Sequence, residues 1–379
     1  MDRIYADCAA TTPISESALQ VMTECMRIHY GNPSSAHQNG REAARILEEA
    51  RGKIAACIGA EPEEIYFTSG GTEADNQAIL TAAMYGKLIG KRHMIFSQVE
   101  HHAVLNCIPA LEKAGFEITL LGVDMAGNVS IKELKAACRK DTILAAVMYV
   151  NNEVGTVEPA AEIGQLCREG DILFHIDGVA AAGHIPVQVK ELGADMFSLS
   201  AHKFHGPRGI GVLYVDKRIP VANLMFGGSQ ERDKRPGTQN VPGAAAMARA
   251  LCDSVAALEE QTRKMERLRE RLLCGLKDVE GMWLNGNPES RVPGIINLGF
   301  EGVSGEALML LLDLNGISVS TGAACNTESV EPSHVLTAMG LSPERARSCI
   351  RISLSVCNTE EEIDTICRAV SEAVERART

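Results

Sequence analysis

The chain has 379 residues, 45% of them hydrophobic and 23% charged, with a formal net charge of −12. That length exceeds one ordinary core, so two domains are expected, and the composition excludes a disordered chain. The acidic balance excludes nucleic acid and anionic membrane as main partners, since both need a basic face.

No apolar run approaches the ~20 residues that a membrane helix needs. The opening "MDRIYADCAATTP" lacks a charged-then-apolar signal pattern, so a cytoplasmic location is expected. The twelve cysteines, scattered from Cys8 to Cys367, include no Cys-x-x-Cys pair. Neither a metal site nor a disulfide framework is therefore expected, and most of these thiols read as small buried apolar groups.

From about residue 13 to 250, helix patterns alternate with short apolar runs. The runs at 64–69, 93–98, 117–123, 143–150, 172–177, 196–201 and 211–215 read as seven buried strands. Between them lie helix patterns such as "TEADNQAILTAAMYG" and "HAVLNCIPALEKAG", each closed by a glycine. This alternation predicts an α/β fold, a large domain over 13–250 with a mainly parallel seven-stranded sheet covered on both faces. Residues 244–277 read as one long amphipathic helix, free of Gly and Pro until Gly275. The remainder, 251–379 together with 1–12, is expected to form a smaller α+β domain. Its strands are "GIINLGF" and "CIRISLS", and its last helix starts at Thr359.

Open parallel sheets bind ligands beyond the carboxyl ends of their strands, so the residues just after each strand carry the functional signal. After the first comes Gly70-Gly71-Thr72 running into a helix, a turn that suits a phosphate or an ordinary capped junction equally well. Later strand ends present His101 and His102, the paired amides Asn151 and Asn152, and the acid Asp177. A carboxylate at that position is costly to bury without a partner. Then comes "SLSAHKFHGPRGIG", with Lys203 between His202 and His205. A lone lysine is usually a surface charge. A phosphate-binding turn, an acid on one strand end and a lysine on the next together suit pyridoxal phosphate, which needs all three.

The segments "YADCAATTP", "GNPSS", "FTSGGTEADN", "VEHHAV", "VNNEVGT", "SAHKFHGPRGIG", "RPGTQNV", "TGAACNT" and "CIRISLS" occur in an order that resembles the cysteine desulfurases of the NifS/IscS type. These belong to the class V branch of fold-type I pyridoxal-phosphate transferases, and the resemblance runs end to end. It implies Lys203 as the Schiff-base lysine and Asp177 as partner of the ring nitrogen. It implies His101 stacked on the ring as a proton relay, and Gly71, Thr72, Ser200 and His202 around the phosphate, joined by Thr238 of the partner subunit in a homodimer. Asn152 would touch cofactor or substrate, and Asn32 and Arg351 would bind the substrate, Arg351 through the carboxylate. Cys325, in a run of small residues, would take sulfur from L-cysteine as a persulfide, leaving alanine. A sulfur-acceptor protein, in iron–sulfur cluster assembly or thiolation, would receive it.

The chain departs from that pattern at a few positions. Ala180 stands where the family usually carries a glutamine to the ring hydroxyl. Cys8 stands at a common Tyr or Asn position, and Ser229 and Asp233 at frequent glycines. Selenocysteine lyase or another carbon–sulfur lyase is the neighbouring alternative. A low-activity scaffold or partner-binding relative, motivated by Ala180, is the alternative of another class.

Overall fold

The computed structural model describes residues 3–321 and 331–378. Among the described residues twelve strands form three sheets, beginning with β1 (Ile4–Tyr5). The seven runs marked in the sequence become β2 (Ile65–Thr68), β3 (His93–Ser97), β4 (Glu117–Leu121), β5 (Thr142–Ala146), β6 (Leu173–Asp177), β7 (Met196–Ser200) and β8 (Gly211–Val215). They lie in one sheet in the order β2-β8-β7-β6-β5-β3-β4. All neighbours from β7 to β4 run parallel, and β8 is antiparallel to both β7 and β2. Strands β3, β5, β7 and β8 are buried along their whole length, because helices cover both faces of the sheet. Their unbroken apolar runs, rather than alternation, follow from that double cover.

Four further strands complete the fold: β9 (Met282–Asn285), β10 (Ile295–Phe300), β11 (Ile317–Ser318) and β12 (Cys349–Ser353). An antiparallel sheet has the order β12-β10-β9, and β1 pairs in parallel with β11. The amino-terminal segment therefore runs along the smaller sheet, where Ser353 N–H donates to Ala6 O at 2.7 Å.

Residues 244–277 do not form one helix. The chain bends by 71° between Val241–Ala256 and Leu258–Leu276. No glycine or proline marks the break; tertiary packing imposes it. The first helix buries Ala244, Met247 and Leu251 in the core of the large sheet, and the second buries Leu268, Leu272 and Leu276 in the core of the small one. A straight helix cannot serve two cores that face different ways. The pattern "HAVLNCIPALEKAG" likewise splits, into His102–Leu105 and Ile108–Lys113. Among the described residues, no single helix is long and apolar enough to cross a membrane.

Candidate active site

At the end of β2 the chain turns into the helix Gly71–Ile89. Gly71 is required by close approach, since a Cβ there would sit 2.7 Å from Val179 Cγ2. The first-turn N–H groups of this helix face a recess lined by Gly70, Gly71, Thr72, Ser200 and His202. Glu73, in the same turn, is bound to Arg235 at 2.9 Å, so its charge does not repel an anion there. The arrangement suits a phosphate.

Lys203 closes a short turn, Ala201–Lys203, directly after β7. Its backbone is clamped from two sides. His184 Nε2 donates to the Lys203 carbonyl at 2.9 Å, and Thr12 Oγ1 donates to the His202 carbonyl at 2.9 Å. The Lys203 amine donates to the carbonyls of Ala9 and Ala10, the latter at 3.1 Å. His205 serves this clamp: at φ 63° it donates its N–H to Thr12 Oγ1 at 2.8 Å and sets its ring 2.9 Å from Pro13 O.

Acids gather behind the lysine. Asp177, the last residue of β6, is 4% exposed and accepts the Val179 N–H at 2.9 Å. Burial pushes its carboxyl well above the usual carboxylate range, Asp75 adds to the rise, and the Val179 N–H and Lys203 oppose it. Asp75 lies 3.4 Å from His175 Nε2, which also contacts Ser198 Oγ at 3.1 Å. Glu100 accepts the Met148 N–H at 2.7 Å, and burial likewise holds it well above its ordinary range. One oxygen each of Asp75 and Glu100 is buried without a hydrogen-bond partner among the described residues.

The other wall comes from distant segments. Asn151 makes a turn, accepting the N–H groups of Glu153 and Val154 at 2.9 and 3.0 Å, whereas Asn152 lines the cavity. Arg351, on β12, donates to Asp7 Oδ1 at 2.9 Å and to the Asn152 carbonyl at 3.0 Å, while its buried Nε has no partner among the described residues. Glu153 accepts Ser333 Oγ at 2.5 Å, and burial lifts it to about 7. His101 caps the helix His102–Leu105, its Nδ1 accepting the Ala103 N–H at 3.1 Å. Burial pushes its pKa down, and Lys203 adds to this against the pull of Asp75. The neutral ring therefore carries its proton on Nε2.

Gly71, Thr72, His101, Asn152, Asp177, Ser200, His202, Lys203 and Arg351 thus line one cavity of about 350 Å³. Two anticipated residues lie outside it: Asn32 is exposed and accepts the Ser34 N–H at 3.0 Å, and Thr238 is exposed in the segment before the helix Val241–Ala256. Cys325 lies outside the described residues.

The model of the class-V aminotransferases matches residues 4–366. The chain belongs to the class-V aminotransferase family. A protein named cysteine desulfurase IscS from Methanosarcina thermophila is 46% identical over 375 residues, covering 99% of this chain and 93% of the relative. A putative cysteine desulfurase, IscS 1, from Bacillus subtilis strain 168 is 47% identical, covering 99% of this chain and all of the relative. A solved structure titled NifS-like protein superposes with a TM-score of 0.93 at 39% identity, covering 99% of this chain and 100% of its own.

In this class-V aminotransferase, several cavity residues escaped sequence reasoning. Asp75 stands four positions after Gly71, one helical turn into the cavity wall, and Glu153 follows Asn152 directly. Asp7, Ser333 and His334 reach the site from opposite ends of the chain. Of these, Asp75 had a readable signal, a lone acid on an apolar helix face. Ala180 does line the cavity, and Cys8 does not: it is buried, and burial pushes its thiol up to about 11.

Proposed function

We propose that the protein is a cysteine desulfurase, taking sulfur from L-cysteine to leave L-alanine and a persulfide on Cys325. The observation that carries this reading is the convergence of Lys203, Asp177, His101 and Arg351 on one cavity beside a recess suited to phosphate.

The residues present fit pyridoxal 5'-phosphate. Gly71 leaves the space that a Cβ would fill, and Thr72, Ser200 and His202 line the phosphate recess. Asp177 offers a carboxylate for the ring nitrogen, and Lys203 an amine for the carbonyl carbon. When bound, the cofactor supplies an electron-accepting ring that stabilises negative charge at the substrate α-carbon.

The chain's own groups do the rest. Arg351 Nε, buried and without a partner among the described residues, binds the substrate carboxylate. Lys203 takes and returns protons at the α-carbon, and His101 holds a proton on Nε2 within the same cavity. The Cys325 thiolate takes the sulfur: a carbon–sulfur bond breaks, a sulfur–sulfur bond forms, and alanine leaves. The reading extends to a cytoplasmic homodimer in which Thr238 of the partner subunit completes the phosphate site. It also includes a sulfur-acceptor protein serving iron–sulfur assembly or thiolation.

The test is incubation of the protein, supplied with pyridoxal phosphate, with L-cysteine and a reductant. Alanine and sulfide are expected in equal amounts, and Lys203→Ala and Cys325→Ala are each expected to abolish both. Absence of alanine with the unmodified protein overturns the reading. Undiminished products from Cys325→Ala overturn the persulfide step alone.

A further inference from the structure

Outside the cavity, two thiols on separate helices meet. Cys57, on Gln38–Ile58, and Cys252, on Val241–Ala256, lie with their Sγ atoms 3.4 Å apart, though 195 residues separate them in sequence. Both are partly exposed, and the two helices share the core of the large sheet. We propose that Cys57 and Cys252 form a second reactive-thiol site, which a hydroperoxide oxidises to an intramolecular disulfide.

The surroundings favour attack by one thiol and resolution by the other. Lys53 stands one turn before Cys57 and Arg249 one turn before Cys252, and both line a surface groove between the helices. The hydrogen bond with Cys57 holds Cys252 at about 7, with Lys53 and Arg249 helping against burial and Asp253. Burial instead pushes Cys107, Cys349 and Cys367 up to about 11. A thiol with its pKa near ambient pH combines a large thiolate fraction with good nucleophilicity.

The steps balance. The Cys252 thiolate attacks an oxygen of the hydroperoxide, the O–O bond breaks, and the departing alkoxide or hydroxide takes a proton, leaving a sulfenic acid. The Cys57 thiol then attacks that sulfur and water leaves. Two thiols are oxidised and one hydroperoxide is reduced. The sulfurs need only close from 3.4 Å to the ~2.0 Å of a disulfide. Neither residue lines the cavity, so this inference stands apart from the proposed reaction.

The experiment treats the reduced full-length protein, as purified with its cofactor, with equimolar hydrogen peroxide near neutral pH. Free thiols are then blocked, and the peptides are mapped without reduction. One linked peptide joining Cys57 and Cys252, lighter by two hydrogens, is expected. It should form about tenfold faster than oxidation of the exposed Cys274 and Cys357. In Cys57→Ser, checked for native circular dichroism, dimedone is expected to label Cys252. Oxidation of Cys274 and Cys357 without the linked peptide overturns the proposal in the unmodified protein, whatever the variant's folding.

Discussion

Arg351 and Asp7 form an ion pair of 2.9 Å that ties β12, and with it a residue of the cavity lining, to the amino-terminal segment. The pair spans 344 residues of sequence. Both side chains sit largely out of water, at 4% and 19% exposure, so breaking it by removing one partner leaves a buried charge. Asp7 positions Arg351, whose Nε has no hydrogen-bond partner among the described residues.

Replacing Arg351 by lysine therefore removes a fork that a point charge cannot reproduce. The expected outcome is a KM for cysteine raised about ten- to a hundredfold, with kcat changed far less. Asp7→Asn is expected to move KM in the same direction by a smaller factor. Steady-state kinetics on both variants check this, and an unchanged KM in Arg351→Lys excludes the carboxylate role.

Glu153 carries a pH signature. Its folded-state pKa is raised from 4.5 to about 7 by burial, so between those values the folded chain holds a proton that the unfolded chain has lost. Its contribution is most favourable below pH 4.5 and is lost as pH rises through about 7, a change of roughly 3 kcal/mol at ~1.4 kcal/mol per unit. Glu158, also raised to about 7 by burial, slopes the same way. Glu153 should therefore add a falling component to thermal stability between pH 5 and 8, against the rising component of histidines whose pKa burial lowers, His101 and His184 among them. Glu153→Gln should remove that falling component, and an identical pH dependence in the variant means that Glu153 does not hold that proton.

Ala180 lines the cavity, at the position where the family resemblance would place a glutamine. Ala180→Gln adds a hydrogen-bonding amide there, worth about 0.5–1.5 kcal/mol net. The expected result is slower loss of pyridoxal phosphate on dialysis, by about two- to tenfold. A faster loss would mean that the cavity has closed around the alanine and no longer admits the longer side chain.

Asp233 stands at a frequent glycine position and adopts φ 65°, the third of three consecutive left-handed residues after Glu231 and Arg232. The stretch is held in place because buried Glu231 grips Arg51 through two bonds of 2.8 Å and accepts the Phe67 N–H at 2.9 Å. Asp233→Gly relieves the side-chain penalty and should raise stability by up to ~1 kcal/mol, partly offset by the greater freedom of glycine in the unfolded chain. Denaturant unfolding measures this, and a clear loss of stability shows that the aspartate compensates for its own strain.

How far the sequence was legible depended on the length scale of each interaction. Seven strands were readable because burial on both faces turns each into a continuous apolar run, a local signal. The break at Ala257 was not, because no local residue causes it; two cores separated in space pull one amphipathic stretch in two directions. Asn151 and Asn152 are alike in sequence. Only the turn that Asn151 caps sends its neighbour to the cavity.

What the sequence by itself determined was the positions of the seven strands along the chain, the placing of Lys203 and Asp177 just after successive strands, and the family, since these reside in short contiguous patterns. Tertiary structure alone decided that Asp75, Glu153, Asp7 and Ser333 join them, and that Cys57 meets Cys252. Asp7 is brought in by the pairing of β1 with β11, Ser333 by its hydrogen bond to Glu153, and the thiol pair by the packing of Gln38–Ile58 with Val241–Ala256, contacts that join segments far apart in the chain. Asp75 and Glu153 depend on which way a side chain points once its backbone is packed. A one-dimensional pattern carries periodicity, but not the direction of a side chain or its distant neighbours.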